Sequence, residues 1–458
     1  MLSSIFEQFV QESPVTVMAR ALMERVFAPE RMDKLFETHA KVQHQQELLF
    51  SSQVDLMSLV VCGIQKSVHA AYKARAVNRI VSTTALYNKL CGVELGVSQA
   101  LVRESANDLR SLISLMGGEQ PNPLPGYQLR IVDGTCLAAT DHRLDAIRRF
   151  AAKALPGKVI VISDPLSKLV VDIFPCEDGH AQERSLFNDV LSCVQPLEVW
   201  SADRNFCTAK FLFTIANQKA FFVIRQHGSL GWKEVTELKA LGQTETGDIF
   251  EQEVEIYYEG NLLKCRRVVL KLFKPTRDKE WEIAILTNLP PSDADAAKIA
   301  ELYRNRWTIE TLFQTVTENF NGEIQTLAYP KAALFSFSMA LVTYNILATV
   351  KAALGSVHGV GKIDAGLSDF YLVDEIQGTY RGMMIAIPAV HWQSFETFSV
   401  EQMVLVLQQL ATRVELKRFL KATRGVKKKR EPLIVDSKHR HVSTARLLET
   451  HQNAKNKR

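Results

Sequence analysis

Asp133, Asp203 and Glu310 are the residues of this 458-residue chain whose type and placement could do chemistry together. Asp133 ends the apolar run Gln128-Leu-Arg-Ile-Val-Asp133, Asp203 ends Leu197-Glu-Val-Trp-Ser-Ala-Asp203, and Glu310 lies in a helical stretch beginning near Asp295. Two strand tips and one helix face can therefore bring three carboxylates together. Mg²⁺ and Mn²⁺ are hard cations that prefer carboxylate oxygens and keep several waters, so such a trio around an open groove suits a phosphodiester substrate. With two ions roughly 4 Å apart, one can activate a water or a 3′-hydroxyl while the other stabilises the leaving oxygen. A single Asp at a strand end is more often a turn residue or a helix cap. The order of the surrounding elements decides between the two readings.

Residues 127–132 pattern as a strand, and 158–163 and 168–174 as a second and third joined by the turn Asp164-Pro-Leu-Ser167. An amphipathic helix follows over 182–194, then a fourth strand over 197–202, a helix over 208–218 and a fifth strand over 220–225. Three strands in a meander and then alternating helix and strand is the order of an RNase H-like core. That core carries acids at the end of its first strand, just after its fourth, and on a late helix, the places of Asp133, Asp203 and Glu310.

The segment Tyr303-Arg-Asn-Arg306-Trp-Thr-Ile-Glu310 matches a Tyr-x2-Arg-x3-Glu pattern, and with Asp133-Gly-Thr135, Asp203-Arg-Asn-Phe206 and Leu286-Thr-Asn-Leu-Pro290 it resembles the IS4 family of bacterial DDE transposases over residues 125–350. On a helix, Tyr303, Arg306 and Glu310 are three and four apart and share a face, so phenol and guanidinium can grip a DNA phosphate beside a metal-bound Glu310. The family places a Lys seven residues after the Glu; here Thr317 stands there, and a cation to the DNA backbone is missing.

Between Asp203 and Glu310 lie 106 residues. Alternating segments at 250–258, 264–272 and 281–286, with Glu259-Gly-Asn as a hairpin turn, read as strands of a β-rich insertion, which the family carries at this point. In related transposases a Trp on the last insertion strand stacks a flipped base, and Trp281 is the nearest candidate, against the commoner role of an aromatic in cross-strand packing.

The formal charge of +5 hides an asymmetry: from Lys417 to Arg458 there are fourteen Lys and Arg against three acids, a net +11, which leaves −6 on the rest. Such a tail, centred on Lys427, Lys428, Lys429 and Arg430, would release counterions from DNA, or else stand as a solvated tail with no partner. The seven cysteines form no Cys-x2-Cys pair and the eleven histidines lack zinc-ligand spacing, so reduced thiols and no zinc site are expected. The start of the chain lacks the basic and long apolar regions of a signal peptide, so a cytoplasmic, nucleoid-associated bacterial protein is expected. Residues 332–350 are 19 uncharged residues, nearly enough to cross a bilayer, but Ser336, Ser338, Thr343 and Asn345 interrupt them and favour a buried helix under the sheet.

The expected architecture is α/β: an RNase H-like mixed-sheet catalytic core with a β-rich insertion, flanked by mainly helical N- and C-terminal regions. Its parts are a helical DNA-binding domain at 1–121, core at 122–227, insertion at 228–290, core with the Glu310 helix at 291–352, and a helical region with the basic tail at 353–458. Within the first, 82–90 and 98–103 have the rhythm of a helix-turn-helix whose second helix would turn Gln99 and Arg103 toward a groove, though helical hairpins that merely pack are commoner. The resemblance implies cut-and-paste transposition on double-stranded DNA, both inverted-repeat ends and target, through a hairpin intermediate, with two Mg²⁺ per site, Mn²⁺ as substitute, and a homodimeric synaptic complex without a membrane. A metal-dependent nuclease without strand transfer and a catalytically silent DNA-binding descendant are the alternatives.

Overall fold

The computed structural model describes residues 4–42, 48–74, 81–152, 154–276 and 278–422, with 443, 444 and 453. Lys427, Lys428, Lys429 and Arg430 lie outside the described residues. All elements named below belong to one compact unit, Met1–Leu420.

The sheet explains the rest of the architecture. Its first five strands are β1 (Gln128–Cys136), β2 (Lys158–Asp164), β3 (Leu169–Cys176), β4 (Glu198–Ala202) and β5 (Phe221–Arg225). They lie in the order β3-β2-β1-β4-β5, with β1, β4 and β5 mutually parallel and β2 antiparallel to both of its neighbours, β1 and β3. This is the RNase H-like arrangement, and it is α/β with a mixed sheet. β1 is longer than the apolar pattern suggests: Gly134, Thr135 and Cys136 pair with Ile160, Val159 and Lys158, so Asp133 sits inside the strand rather than at its tip. The reading of 127–132 stopped too early because Gly-Thr after an Asp looks like a turn.

Side chains alternate across a strand, and the burial follows. Ile131, Val159 and Val161 face one cluster, while Val132, Ile160 and Ile162 face another on the opposite side. The second is filled by α8 (Phe187–Ser192) and α9 (Ala209–Asn217), whose Phe187 and Phe211 pack with Phe206. The first is filled by helices from both ends of the chain. α1 (Glu7–Glu12), α2 (Pro14–Val26), α3 (Pro29–His39), α4 (Phe50–Val61), α5 (Val68–Ala74), α6 (Thr83–Gly92) and α7 (Leu95–Leu115) precede the sheet, and α7 lies on β3.

Beyond β5 the sheet continues through β10 (Glu282–Thr287), β9 (Asn261–Leu272) and β8 (Gly247–Tyr258), with β6 (Lys233–Glu234) and β7 (Lys239–Gln243) on the far side of β8. The segment between Asp203 and Glu310 is β-rich, and its strands extend the core sheet by the β5–β10 pairing. β8 and β9 meet at a two-residue turn in which Glu259 and Gly260 both have positive φ, 48° and 78°. Such a turn matches the twist of the flanking strands, and glycine carries its second position without steric cost.

After β10 come α10 (Ala296–Asn305), α11 (Thr308–Gln314) and α12 (Pro330–His358). Asp295 caps α10 by accepting from the Lys298 N–H. The 29-residue α12 contains the apolar stretch, and 94% of its most apolar window is buried inside the protein. Asn345 settles its docking: the side chain accepts from the Val170 N–H and donates to the Val170 carbonyl, both at 2.8 Å, satisfying the outer edge of β3. The remaining helices are α13 (Val360–Gly366), α14 (Asp369–Ala386), α15 (Ala389–Trp392) and α16 (Val400–Thr412).

Candidate active site

Two of the acids meet because of strand register. Val132 of β1 and Ala202 of β4 are partners in a parallel pair, so Asp133 and Asp203 are the next residue on each, starting roughly one strand spacing of 4.8 Å apart. β4 stops there. Asp203 leaves the sheet and caps the 3₁₀ turn Arg204–Phe206, accepting from the Asn205 N–H at 2.8 Å. Asp133 stays in β1 and accepts from the Gly134 N–H at 2.9 Å. Burial is the main cause that pushes the Asp133 carboxyl up to about 6; Asp203 and Glu183 add to it, and Arg306 and the Gly134 N–H oppose it.

The third acid arrives by a different route from the continuous helix expected over Tyr303, Arg306 and Glu310. Arg306 and Trp307 form a turn between α10 and α11, with Arg306 N–H donating to Tyr303 and Glu310 N–H donating to Trp307 three residues back. The side chains still meet. Arg306 donates to Asp133 at 2.8 Å, reaches Glu310 at 3.4 Å, and its guanidinium carbon lies 5.8 Å from the Tyr303 ring centre. Tyr303 is buried in the core beneath it, and its ring supports the guanidinium. Glu310 is open to solvent, with 63% of its side chain exposed.

Among the described residues, no three His, Cys, Asp or Glu side chains stand close enough to hold an ion as they are placed. The expected triad is thus two adjacent aspartates and a glutamate joined to one of them, Asp133, through Arg306. The donor set itself fits a hard divalent cation: every candidate ligand is a carboxylate oxygen, and the crowding of negative charge contributes to the raised Asp133.

The sequence reading missed Glu183. It opens the 3₁₀ turn Glu183–Leu186 ahead of α8, and its carboxylate lies against the backbone of Gly134. An acid in the first turn of a helix is ordinary dipole complementarity, so nothing in the local sequence marks it. Burial first, and then Asp203, push its carboxyl above the ordinary range, while Lys158 and Asn205 hold it down.

The remaining candidates are placed as follows. Trp281 is 60% exposed immediately before β10, its carbonyl accepting from Leu272 N–H. The adjacent Glu280 accepts from Arg204 at 3.0 Å and Arg225 at 2.5 Å, which ties the stem of Trp281 to the turn after Asp203. Trp307, a second exposed aromatic, lines a groove of about 470 Å³ with Leu272, Phe273, Ile283, Ala300 and Tyr303. Gln99 and Arg103 both bond the buried Asp172 of β3, at 3.2 and 2.6 Å, and so dock α7 on the sheet; reading a DNA groove with them would require breaking that contact. Thr317 is exposed on a π-helical turn, Thr315–Asn319, with its hydroxyl donating to the Phe313 carbonyl at 2.9 Å.

Residues 124–346 match the family described as Transposase DDE domain. No curated protein matches the chain. Among solved structures, a piggyBac transposase synaptic complex with hairpin DNA is similar at 10% identity and a TM-score of 0.38, over 86% of this chain and 84% of that one.

Proposed function

We propose that this chain, which carries a transposase DDE domain, is a DNA transposase of the IS4 kind that cuts transposon ends and joins them to a target by cut and paste. The observation that carries the reading is the register of β1 on β4, which sets Asp133 beside Asp203 with Arg306 linking Asp133 to Glu310. Asp133, Asp203 and Glu310 would hold Mg²⁺ or Mn²⁺, which DDE transposases generally use and which supplies Lewis-acid activation of the attacking and leaving oxygens.

The chain's own residues do the positioning. Arg306, fixed by its buried stem over Tyr303, presents a two-pronged donor that suits a phosphate as well as a carboxylate. When a DNA phosphate competes for that fork, Asp133 and Glu310 are released to face the scissile bond. In-line phosphoryl transfer then depends on orientation and charge placement more than on covalent chemistry by the protein. Water attack would nick one strand, the freed 3′-hydroxyl would attack the opposite strand to give a hairpin, and the opened end would attack target DNA. The partners are double-stranded ends and target, held by a homodimer, in the bacterial cytoplasm beside the nucleoid.

The test is incubation of the protein with its own flanking DNA and Mg²⁺, read on denaturing gels. Nicked ends and a hairpin are expected from the wild type, and Asp133→Asn, Asp203→Asn and Glu310→Gln should each abolish them while DNA is still bound. Cleavage with no joined or hairpin product would make the chain a nuclease on the same core. Wild-type rates from any of the three variants would remove that residue from the site.

A further inference from the structure

Between the end of β1 at Cys136 and the start of β2 at Lys158 the chain leaves the sheet and returns to it. The excursion is held as a stiff finger. Leu137 N–H donates to the Gly157 carbonyl and Thr140 N–H to the Ala154 carbonyl, both at 3.0 Å, and His142 Nε2 meets the Ala152 carbonyl at 3.2 Å, so the antiparallel pairing of β1 and β2 continues through its root. Asp141 N–H donates to the Gln325 carbonyl at 3.0 Å and pins the finger to the segment ahead of α12. Asp133 is four residues before Leu137, about 13 Å along the strand at about 3.3 Å per residue. Because β1 and β4 are parallel, the finger rises from the same edge of the sheet as the turn that begins at Asp203.

The tip is ordered by its own backbone. It is built from the 3₁₀ turn Asp145–Ile147 and a bond of 3.1 Å from Phe150 N–H to the Ile147 carbonyl, and it ends in Arg148-Arg149-Phe150. Phe150 is 65% exposed. Arg148 pairs with Asp145 and Arg143 with Asp141, whereas Arg149 is exposed and has no acid partner among the described residues. An isolated exposed ring is ordinary on a protein surface. This one stands on a pinned tip, beside a guanidinium free to take a phosphate, and at the edge of the sheet that carries the two aspartates. Residues 1–416 have a net charge of −6, so a tip with three arginines against two aspartates runs against the sign of its surroundings.

We propose that the finger between β1 and β2 is a DNA wedge: Phe150 enters a base step of a duplex that runs past Asp133 and Asp203, opens the step and kinks the helix, while Arg149 holds a phosphate beside it. Apolar side chains among cations do this in proteins that bend DNA, and the unstacking is offset by the contacts that the bend permits. A stiff finger suits the task, since a wedge that yields opens nothing. The duplex is a transposon end or the target, and the chemistry that recognises it is the same for both. The inference rests on the reading of this chain as an enzyme that acts on double-stranded DNA.

The experiment is binding of the full-length protein, in EDTA, to fluorescent duplexes in which a single mismatch is moved one step at a time, in one series of its own flanking DNA and one of unrelated DNA. A mismatched step is already partly unstacked, so the wild type should bind the best-placed mismatch about tenfold tighter than the matched duplex. Phe150→Leu keeps a wedge without an aromatic face and should retain the preference, whereas Phe150→Ala should bind both duplexes alike. Arg149→Gln should weaken both equally and reduce the slope of log affinity against log salt by about one. All three variants should melt as the wild type does, because the replaced side chains are exposed at the tip. A preference confined to the flanking DNA assigns the finger to transposon ends, and one shared by unrelated DNA assigns it to the target. A preference lost in Phe150→Leu would make the ring a stacking platform and overturn the wedge. So would a preference kept by Phe150→Ala, or none in a wild type that binds DNA, and the transposase reading would still stand. If the wild type binds neither series, that reading fails and takes this inference with it.

Discussion

Arg306 donates to Asp133 at 2.8 Å across 173 positions of sequence, and this contact is what joins the α10–α11 turn to the middle of β1. Both side chains are largely buried, with 7% and 17% exposed. Removing one partner of such a pair leaves the other charge without compensation.

Arg306→Ala is therefore expected to destabilise the fold by about 3 kcal/mol at pH 8, the range for a broken buried pair. Because Arg306 lowers the Asp133 pKa, its loss raises that pKa further, and the variant should regain part of its stability at pH 5.5, where Asp133 can take up a proton. Arg306→Lys keeps the charge but not the fork and should fall between. Urea denaturation at the two pH values reads all three; equal stability of Arg306→Ala and wild type at pH 8 would mean that the contact is not maintained in solution.

Asp133 has a signature of its own. Its folded pKa of about 6 is above the ordinary unfolded value of about 3.9, so the folded state binds the proton more tightly. The group consequently costs no stability below about pH 4, costs progressively more as pH rises to about 6, and costs its full amount above that. The amount is at most about 3 kcal/mol, at about 1.4 kcal/mol per pKa unit. In EDTA, the stability of Asp133→Asn minus that of wild type should therefore grow between pH 4 and pH 7. A difference flat in pH would contradict the raised value.

Arg103 separates two roles for α7. Its bond to the buried Asp172 makes it a docking residue, and Arg103→Ala should lower stability by about 1–3 kcal/mol by leaving that carboxylate short of a donor. Specific DNA affinity should be unchanged at a temperature where the variant is folded. The reverse result, lost affinity with intact stability, would return the residue to a DNA groove.

Thr317 tests how far the helical motif extends. Its exposed hydroxyl satisfies only the backbone of its own helix, so Thr317→Lys should leave stability within about 0.5 kcal/mol. Binding to cleaved ends should tighten by about 1 kcal/mol, one screened charge-assisted contact. The comparison is affinity for end and unrelated DNA at two salt concentrations. An equal gain for both would place residue 317 away from the strand held in the site.

Much of this is legible in the amino-acid sequence. The apolar periodicity of the five core strands and of α8 and α9 specifies which residues can be buried on which face, and Asp133 and Asp203 stand where that apolar pattern breaks. The β8–β9 turn was legible too, because a glycine between alternating runs supplies one of the two positive φ angles, with Glu259 taking the other. The burial of α12 could be read from its interrupting Ser, Thr and Asn: Asn345 pairs with Val170 of β3, while Ser338, Thr343 and Thr349 bond carbonyls one turn back in their own helix.

Other features depend on partners far away in the chain, and local sequence carries no trace of them. β1 runs on to Cys136 because β2 offers a partner there, and the helix breaks at Arg306–Trp307 where no proline or glycine announces it. Gln99 and Arg103 have the spacing of a groove-reading pair, and only the position of β3 turns them onto Asp172. Glu183 is an unremarkable acid at a helix start until Gly134 is seen beneath it. Periodicity indicated most of the elements, and the order of those elements with the Tyr303–Glu310 motif singled out three acids; register and docking, which depend on contacts between distant segments, decided what those acids face.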